Sequence, residues 1–275
     1  MGAWLLFGGS SLVAVATGCW IASQHGVSQH IWLMNLAAWV VGAALAAAVS
    51  RMPVKRWWWL ALALAGLAST FLSAGMSGVH RWIGLGPIRL NAAELLLPPA
   101  LVAGWDIVLA LAILILLVLQ PDASQAIAFA GGSIVATLAS NASRVRRVWT
   151  IALFAGGAAV SLLRADPLAP VPEVEGIIGL ASPGFAALAI LALAGTAFTA
   201  LVVAHSSAAY ALTAYLVLIA LAPMFGAFPV PLVGMGVSPI LGAWLGFGAL
   251  MRSIRLRVPR SPLHPQPRRL PALSG

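Results

Sequence analysis

The sequence is short of charge: only 8% of its 275 residues are Asp, Glu, Lys or Arg, against roughly 25% in an average soluble domain. With 61% hydrophobic residues and a mean hydropathy of +1.01, the chain carries more apolar surface than a water-facing shell could cover, so a soluble fold is excluded. Cysteine is nearly absent, and the single Cys19 can form no internal disulfide and has no companion for a metal site. Alternation of apolar and polar residues is missing too. The stretch 107–119 is apolar at every position, which excludes a membrane β-barrel and leaves helices that satisfy their own backbone hydrogen bonds. His25, His30, His80, His205 and His264 fall in no metal-ligand spacing and read as loop or interface residues.

What the sequence does contain is a series of apolar runs near the length, about 20 residues, that spans a bilayer as a helix. They lie near 3–22, 32–50, 57–77, 124–141, 147–163, 184–204, 208–227 and 232–251, with a further apolar stretch at 92–120. The expected fold class is therefore all-α: a polytopic transmembrane helical bundle of about ten helices, two of them short. One transmembrane domain over 1–257 is expected, followed by a tail, 258–275, whose Pro259, Pro262, Pro265, Pro267 and Pro271 alternate with arginines. That composition predicts a disordered segment facing lipid headgroups. The first run has no basic residue before it and reads as the first span rather than a cleaved leader.

The formal charge of +9 belongs to loops rather than to one basic surface, so it speaks for membrane orientation and against a nucleic-acid partner. Lys and Arg concentrate in cytoplasmic loops. Arg51, Lys55, Arg56, Arg144, Arg146, Arg147 and the arginines from Arg252 onward fall on one side, leaving Arg81, Arg89 and Arg164 on the other. Both termini are then cytoplasmic. Crossing parity requires 92–120 to be a hairpin with its tip at Gly104-Trp105-Asp106 and arms of only about 13 to 15 residues, short for a full bilayer. Glu94, Asp122, Asp166, Glu173 and Glu175 fall outside, and Asp106 inside. Trp57, Trp58 and Trp59 read as an interfacial belt, and Gly242 with Gly246 as a site of close helix packing.

Three outward-facing segments carry motifs. The first runs Gly78-Val79-His80-Arg81-Trp82-Ile83-Gly84-Leu85-Gly86, then Asn91-Ala92-Ala93-Glu94-Leu95; the second is Gln120-Pro121-Asp122; the third runs Pro231-Leu232-Val233-Gly234-Met235-Gly236-Val237-Ser238. An arginine in a shaped loop offers planar donors to a phosphate, and Glu94 at the start of an apolar arm can pair with it or cap the helix. In order and sidedness these segments resemble G-x-R-R-W-I-x-x-G with Q-P-S-E-L, Q-P-D-L-G-T and P-F-x-S-Y-G-G-S of the SEDS family of cell-wall glycosyltransferases, the FtsW/RodA/SpoVE group. The chain is similar to a short and divergent member. His80 stands for the first arginine of the family pair, Leu97 for a lysine, and Gly234 and Met235 for Ser and Tyr.

The resemblance implies polymerisation of lipid II, in which a sugar hydroxyl of one molecule displaces the undecaprenyl pyrophosphate of another. It places Glu175, before Ile177-Ile178, at the family's catalytic aspartate, with Glu173 as runner-up. Arg81, Trp82, Glu94, Asp122 and Ser238 become candidate substrate-binding residues. The family chemistry admits a divalent cation, Mg or Mn, and implies a class B penicillin-binding protein, a transpeptidase, as partner in the bacterial inner membrane, beside membrane lipids. Two other readings are open: a non-catalytic relative that binds lipid-linked precursor or a division or elongation partner, and a transporter of such precursors.

Overall fold

The computed structural model describes residues 1–256 other than 54, 56, 87 and 105; the expected tail at 258–275 lies outside the described residues. The chain forms α1 (Gly2–Gln24), α2 (Gln29–Val49) and α3 (Trp57–Thr70), then a hairpin of β1 (Trp82–Leu85) and β2 (Ile88–Asn91). Eight helices follow: α4 (Ala92–Ala103), α5 (Ile107–Leu119), α6 (Ala123–Leu138), α7 (Arg144–Leu162), the one-turn α8 (Ile177–Leu180), α9 (Pro183–Val203), α10 (Ser207–Leu221) and α11 (Val237–Arg255). Leaving α8 aside, ten helices stand among the described residues, as the apolar runs predict. α1, α2, α7, α9, α11 and α10 with its 3-10 extension to Met224 are each long and apolar enough to cross a membrane.

The 92–120 stretch is the expected hairpin. Its arms α4 and α5, of 12 and 13 residues, measure about 18–20 Å at 1.5 Å per residue, well under a hydrocarbon core of about 30 Å. Asp106 ends the turn by capping α5, its Oδ1 accepting from the N–H groups of Val108 at 3.0 Å and Leu109 at 3.1 Å. Asp122, Ser143 and Ser206 cap α6, α7 and α10 in the same way, each supplying an acceptor to donors that a helix start leaves unpaired.

α3 is shorter than its apolar run suggests. Rather than running to near residue 77 it stops at Thr70, where the backbone tightens into three-residue turns, Phe71 N donating to Ala68 O, Leu72 N to Ser69 O and Ser73 N to Thr70 O. The Thr70 hydroxyl lies 2.7 Å from His80 O, and Gly75 and Gly78 take the left-handed backbone that turns the chain, a conformation costly for other residues. The expected tryptophan belt is two rings, not three. Trp57 and Trp58 are 51% and 47% exposed and stack at 4.4 Å, whereas Trp59 is 8% exposed and packs inward.

α11 is the central post, packed against α4 and α2, with α1 on α9 and α6 on α10 and α7 outside them. An aromatic cluster of Trp4, Phe7, Trp39, Trp244 and Phe247 ties α1, α2 and α11 together, with Phe7 and Phe247 stacked at 4.2 Å. The expected close packing at Gly242 and Gly246 is realised against α4. A Cβ on Gly242 would lie 1.9 Å from Glu94 O, and one on Gly246 2.7 Å from Pro98 Cβ. Pro98 has no N–H to return to the carbonyl four residues earlier, and that carbonyl is Glu94 O. The backbone of α11 therefore seats against the one part of α4 that its own prolines leave open.

Candidate active site

At the end of the bundle where the acidic residues gather, a cavity of about 470 Å³ is lined by residues from five separate segments. Arg81, Trp82, Glu94, Asp122, Glu175 and Ser238, all singled out from the sequence, line it together, while Glu173 does not. The hairpin explains the approach of the first three. Trp82 pairs with Asn91 across the strands, and Ala92 N donates to Arg81 O at 3.0 Å, so Arg81 stands at the mouth of the turn that leads into α4. Asn91, not Glu94, is the α4 cap: its Oδ1 accepts from Ala93 N at 2.9 Å and Glu94 N at 3.3 Å. Ser238 Oγ accepts from Asn91 N at 2.9 Å, tying the third motif to the first.

Arg81 is the hub. Its Nε donates to Gln120 O at 3.2 Å and its Nη2 to Pro121 O and, at 2.7 Å, to Asp166 Oδ2, with Asp122 Oδ2 3.7 Å from Nε. Burial opposes its charge, but Asp122 and Asp166 more than offset that, and its pKa stands above the ordinary arginine value. Gln120 reaches the other way, donating to Leu67 O and to Thr70 Oγ1 at 2.7 Å, so the second motif clamps the end of α3. Sequence reasoning placed Asp166 outside but gave it no role; its partner is 85 positions away, and no local pattern marks such a pair.

The loop between α7 and α8 forms the cavity's far wall. Its backbone is laced to the third motif, Val230 N donating to Val174 O at 3.0 Å and Met235 N to Glu173 O at 2.9 Å. Asn35 of α2 braces the same motif by donating to Gly234 O at 2.9 Å. The Glu175 carboxylate accepts from Val171 N at 2.6 Å. Burial raises its pKa, that hydrogen bond draws it down, and Asp166 and Glu173 push it up again, leaving it above the ordinary glutamate value. Glu94 is 9% exposed, and among the described residues its carboxylate accepts no hydrogen bond and joins no ion pair.

Among the described residues no three His, Cys, Asp or Glu side chains stand close enough to hold a metal ion. Of the carboxylates around the cavity, Asp166 is turned to Arg81 and Glu175 to Val171, which leaves Glu94 alone unpartnered among the described residues. This donor set does not fit the divalent cation that the family chemistry admits.

No protein-family model matches the sequence, and no curated protein matches it. Solved structures do. The rod shape determining protein RodA of Thermus thermophilus superposes with a TM-score of 0.67 at 19% identity, over 93% of this chain and 98% of RodA. The fold is that of RodA. A point mutant of the same protein gives a TM-score of 0.66 over the same shares, and a chain from a peptidoglycan synthase complex that coordinates polymerization and crosslinking gives 0.57 at 19% identity, over 91% of this chain and 97% of that one. RodA is a SEDS protein, so the fold expected from three short motifs is the fold observed, and the RodA-like bundle accommodates nearly all of this compact chain.

Proposed function

We propose that this chain is a compact SEDS-type peptidoglycan glycosyltransferase that polymerises lipid II at the outer face of the bacterial cytoplasmic membrane, with both termini in the cytoplasm. The observation that carries the reading is the convergence of Arg81, Trp82, Glu94, Asp122, Glu175 and Ser238 on one cavity. Motifs spread over more than half the sequence share one surface, as a substrate site requires. The RodA likeness supports the same reading at the level of fold.

In the proposed reaction the acceptor sugar hydroxyl attacks the anomeric carbon of a second lipid II molecule, a new glycosidic bond forms, and the bond to undecaprenyl pyrophosphate breaks. Glu175 accepts the hydroxyl proton. Arg81 and Arg89, both on the cavity, meet the departing pyrophosphate, a planar guanidinium being suited to two phosphate oxygens at once. No step is assigned to a metal held by this chain. A class B penicillin-binding protein is the proposed partner, by analogy with the synthase complex whose chain shares the fold.

One observation favours the second reading, a non-catalytic binder of lipid-linked precursor. Arg81 is already held by two carbonyls and two carboxylates, and Glu175 by its own loop. The deciding experiment adds lipid II to the purified protein, with and without a candidate transpeptidase and with Mg or Mn. Glycan chains resolved on gels support the enzyme; precursor binding without polymer supports the binder. Reporter fusions at Gly78 and Pro170 should read outside and at Val145 inside, and the reverse pattern would overturn the orientation.

A further inference from the structure

Two hollows lie beyond the candidate site. One, of about 590 Å³, opens where α4 ends, with Asp106 and Arg146 both on its lining. The other, of about 270 Å³, adjoins the candidate site and shares Met76, Trp82 and Arg89 with it. The β-hairpin joins the two neighbours.

Side chains alternate along a strand, and Trp82 pairs with Asn91 as Gly84 pairs with Arg89, so these four residues share one face of the hairpin. Ile83, on the other face, packs against the core. Asn91, Trp82 and Arg89 line the candidate site, and Trp82, Arg89 and Gly84 line the smaller hollow. One face of the hairpin is thus a shelf that leaves the start of α4 and runs toward the hairpin tip. Gly84 keeps the outer part of that shelf open, since a Cβ there would meet nothing within 4 Å.

The chemistry changes along the shelf. Glu94, Asp122, Asp166 and Glu175 line the candidate site, whereas no carboxylate lines the outer hollow among the described residues. It can hold a group but offers no carboxylate base to activate one. Trp82 is half-buried and presents a flat apolar ring, while Arg89 is exposed, with Met76 Sδ at 2.8 Å as its side-chain partner among the described residues. A thioether is a weak acceptor, so this guanidinium is open to hydroxyl or carbonyl oxygens that bind it better. A ring beside such donors matches a sugar, whose C–H face packs on an indole while its rim supplies oxygens.

We propose that the outer hollow is a holding subsite for one sugar residue of the glycan, adjoining the reaction cavity, with Trp82 against the sugar ring and Arg89 on its oxygens. Arg89 lines both hollows, so its fork meets pyrophosphate on one side and sugar on the other. The identity of the sugar rests on the polymerase reading above. A chain held there stays beside the reacting groups between additions, so the subsite sets the length of the product.

The test uses the full chain in detergent and a lipid-free tetrasaccharide of alternating N-acetylglucosamine and N-acetylmuramic acid, with binding read by isothermal titration. Wild type should bind it, and absence of binding would overturn the proposal. Gly84→Leu, which fills the outer hollow, should weaken binding at least tenfold and shorten the glycan made from lipid II. Ala74→Leu, on the loop side of the same hollow, should do likewise, and Leu85→Ala, on the other face of the strand, should stay within twofold. Unchanged tetrasaccharide binding in both filling variants would overturn the subsite while leaving a polymerising wild type an enzyme. No polymer from wild type, with tetrasaccharide binding still lost in Gly84→Leu, would remove the enzyme and keep the subsite. Inorganic pyrophosphate bound as tightly as the sugar, and lost equally in the filling variants, would reassign the hollow to an anion and overturn the proposal.

Discussion

Arg81 and Asp166 form a 2.7 Å ion pair that bridges the β-hairpin mouth and the loop after α7. The guanidinium proposed to meet pyrophosphate thus already has a carboxylate partner, and a phosphate entering the cavity competes with Asp166 for it. Asp166→Asn should therefore strengthen binding of a fluorescent lipid II analogue by several fold, since a charge-assisted hydrogen bond is roughly twice as strong as a neutral one. Arg81→Ala should weaken binding far more than Arg164→Ala, and Arg81→Lys should recover only part of the loss. Weaker binding in Asp166→Asn would show that the pair organises the site rather than guarding it.

Glu175→Gln keeps an acceptor for Val171 N but cannot take a proton, so polymerisation should fall by at least about 10²-fold with unchanged melting temperature. Glu173→Gln should be milder, because that residue meets the third motif through its backbone carbonyl. Glu175→Asp, one methylene shorter, reports how far the site tolerates displacement. Indistinguishable wild type and Glu175→Gln would leave the fold and remove the catalytic role.

The pH profile carries its own sign. A general base works as the carboxylate, and burial raises the Glu175 pKa above its ordinary value. Activity should be full above that raised pKa and be lost as pH falls through it, with the acid limb higher than an exposed glutamate would give. The limb should disappear from the residual activity of Glu175→Gln. An acid limb unchanged in that variant assigns it to another group.

Glu94 is buried beside Asp122 and Arg81 with no partner for its carboxylate among the described residues. A buried carboxyl group with no hydrogen-bond partner is costly, so Glu94→Gln should leave the melting temperature unchanged or raise it while reducing lipid II affinity. A fall of more than a few degrees would mean that the carboxylate supports the fold.

Gly242→Ala would push a methyl group against Glu94 O at 1.9 Å, with backbone on both sides and nothing flexible to yield. Overpacking in a tight core costs about 1–3 kcal/mol, so this variant should melt well below wild type or fail to insert. Gly9→Ala meets nothing within 4 Å in α1 and should be neutral or stabilising by up to about 1 kcal/mol. Equal melting of the two variants would contradict the close approach of α11 and α4.

The helices were legible because membrane spans announce themselves by length and apolarity, and the α4–α5 hairpin because charge sidedness left no other parity. The β-hairpin was not: two strands of four residues, one holding Gly84, fall below any period that alternation can reveal. The end of α3 was hidden because Phe71 and Leu72 continue the apolar run past Thr70, where the helix ends. The site residues were legible through motif chemistry. Their connections were not, since Asn91 with Ser238 and Arg81 with Asp166 join positions far apart in the chain.

α4 touches two cavities: Glu94 lines the one at its start, and Leu101, Val102 and Ala103 line the one at its end. Seven residues of helix separate Glu94 from Leu101, about 10 Å along the axis. Where the bilayer would interpose some 30 Å of hydrocarbon, this bundle brings hollows of about 470 and 590 Å³ within two turns of one helix of each other. A displacement of α4 along its axis would therefore alter both hollows at once, so one short helix couples the two ends of the bundle mechanically.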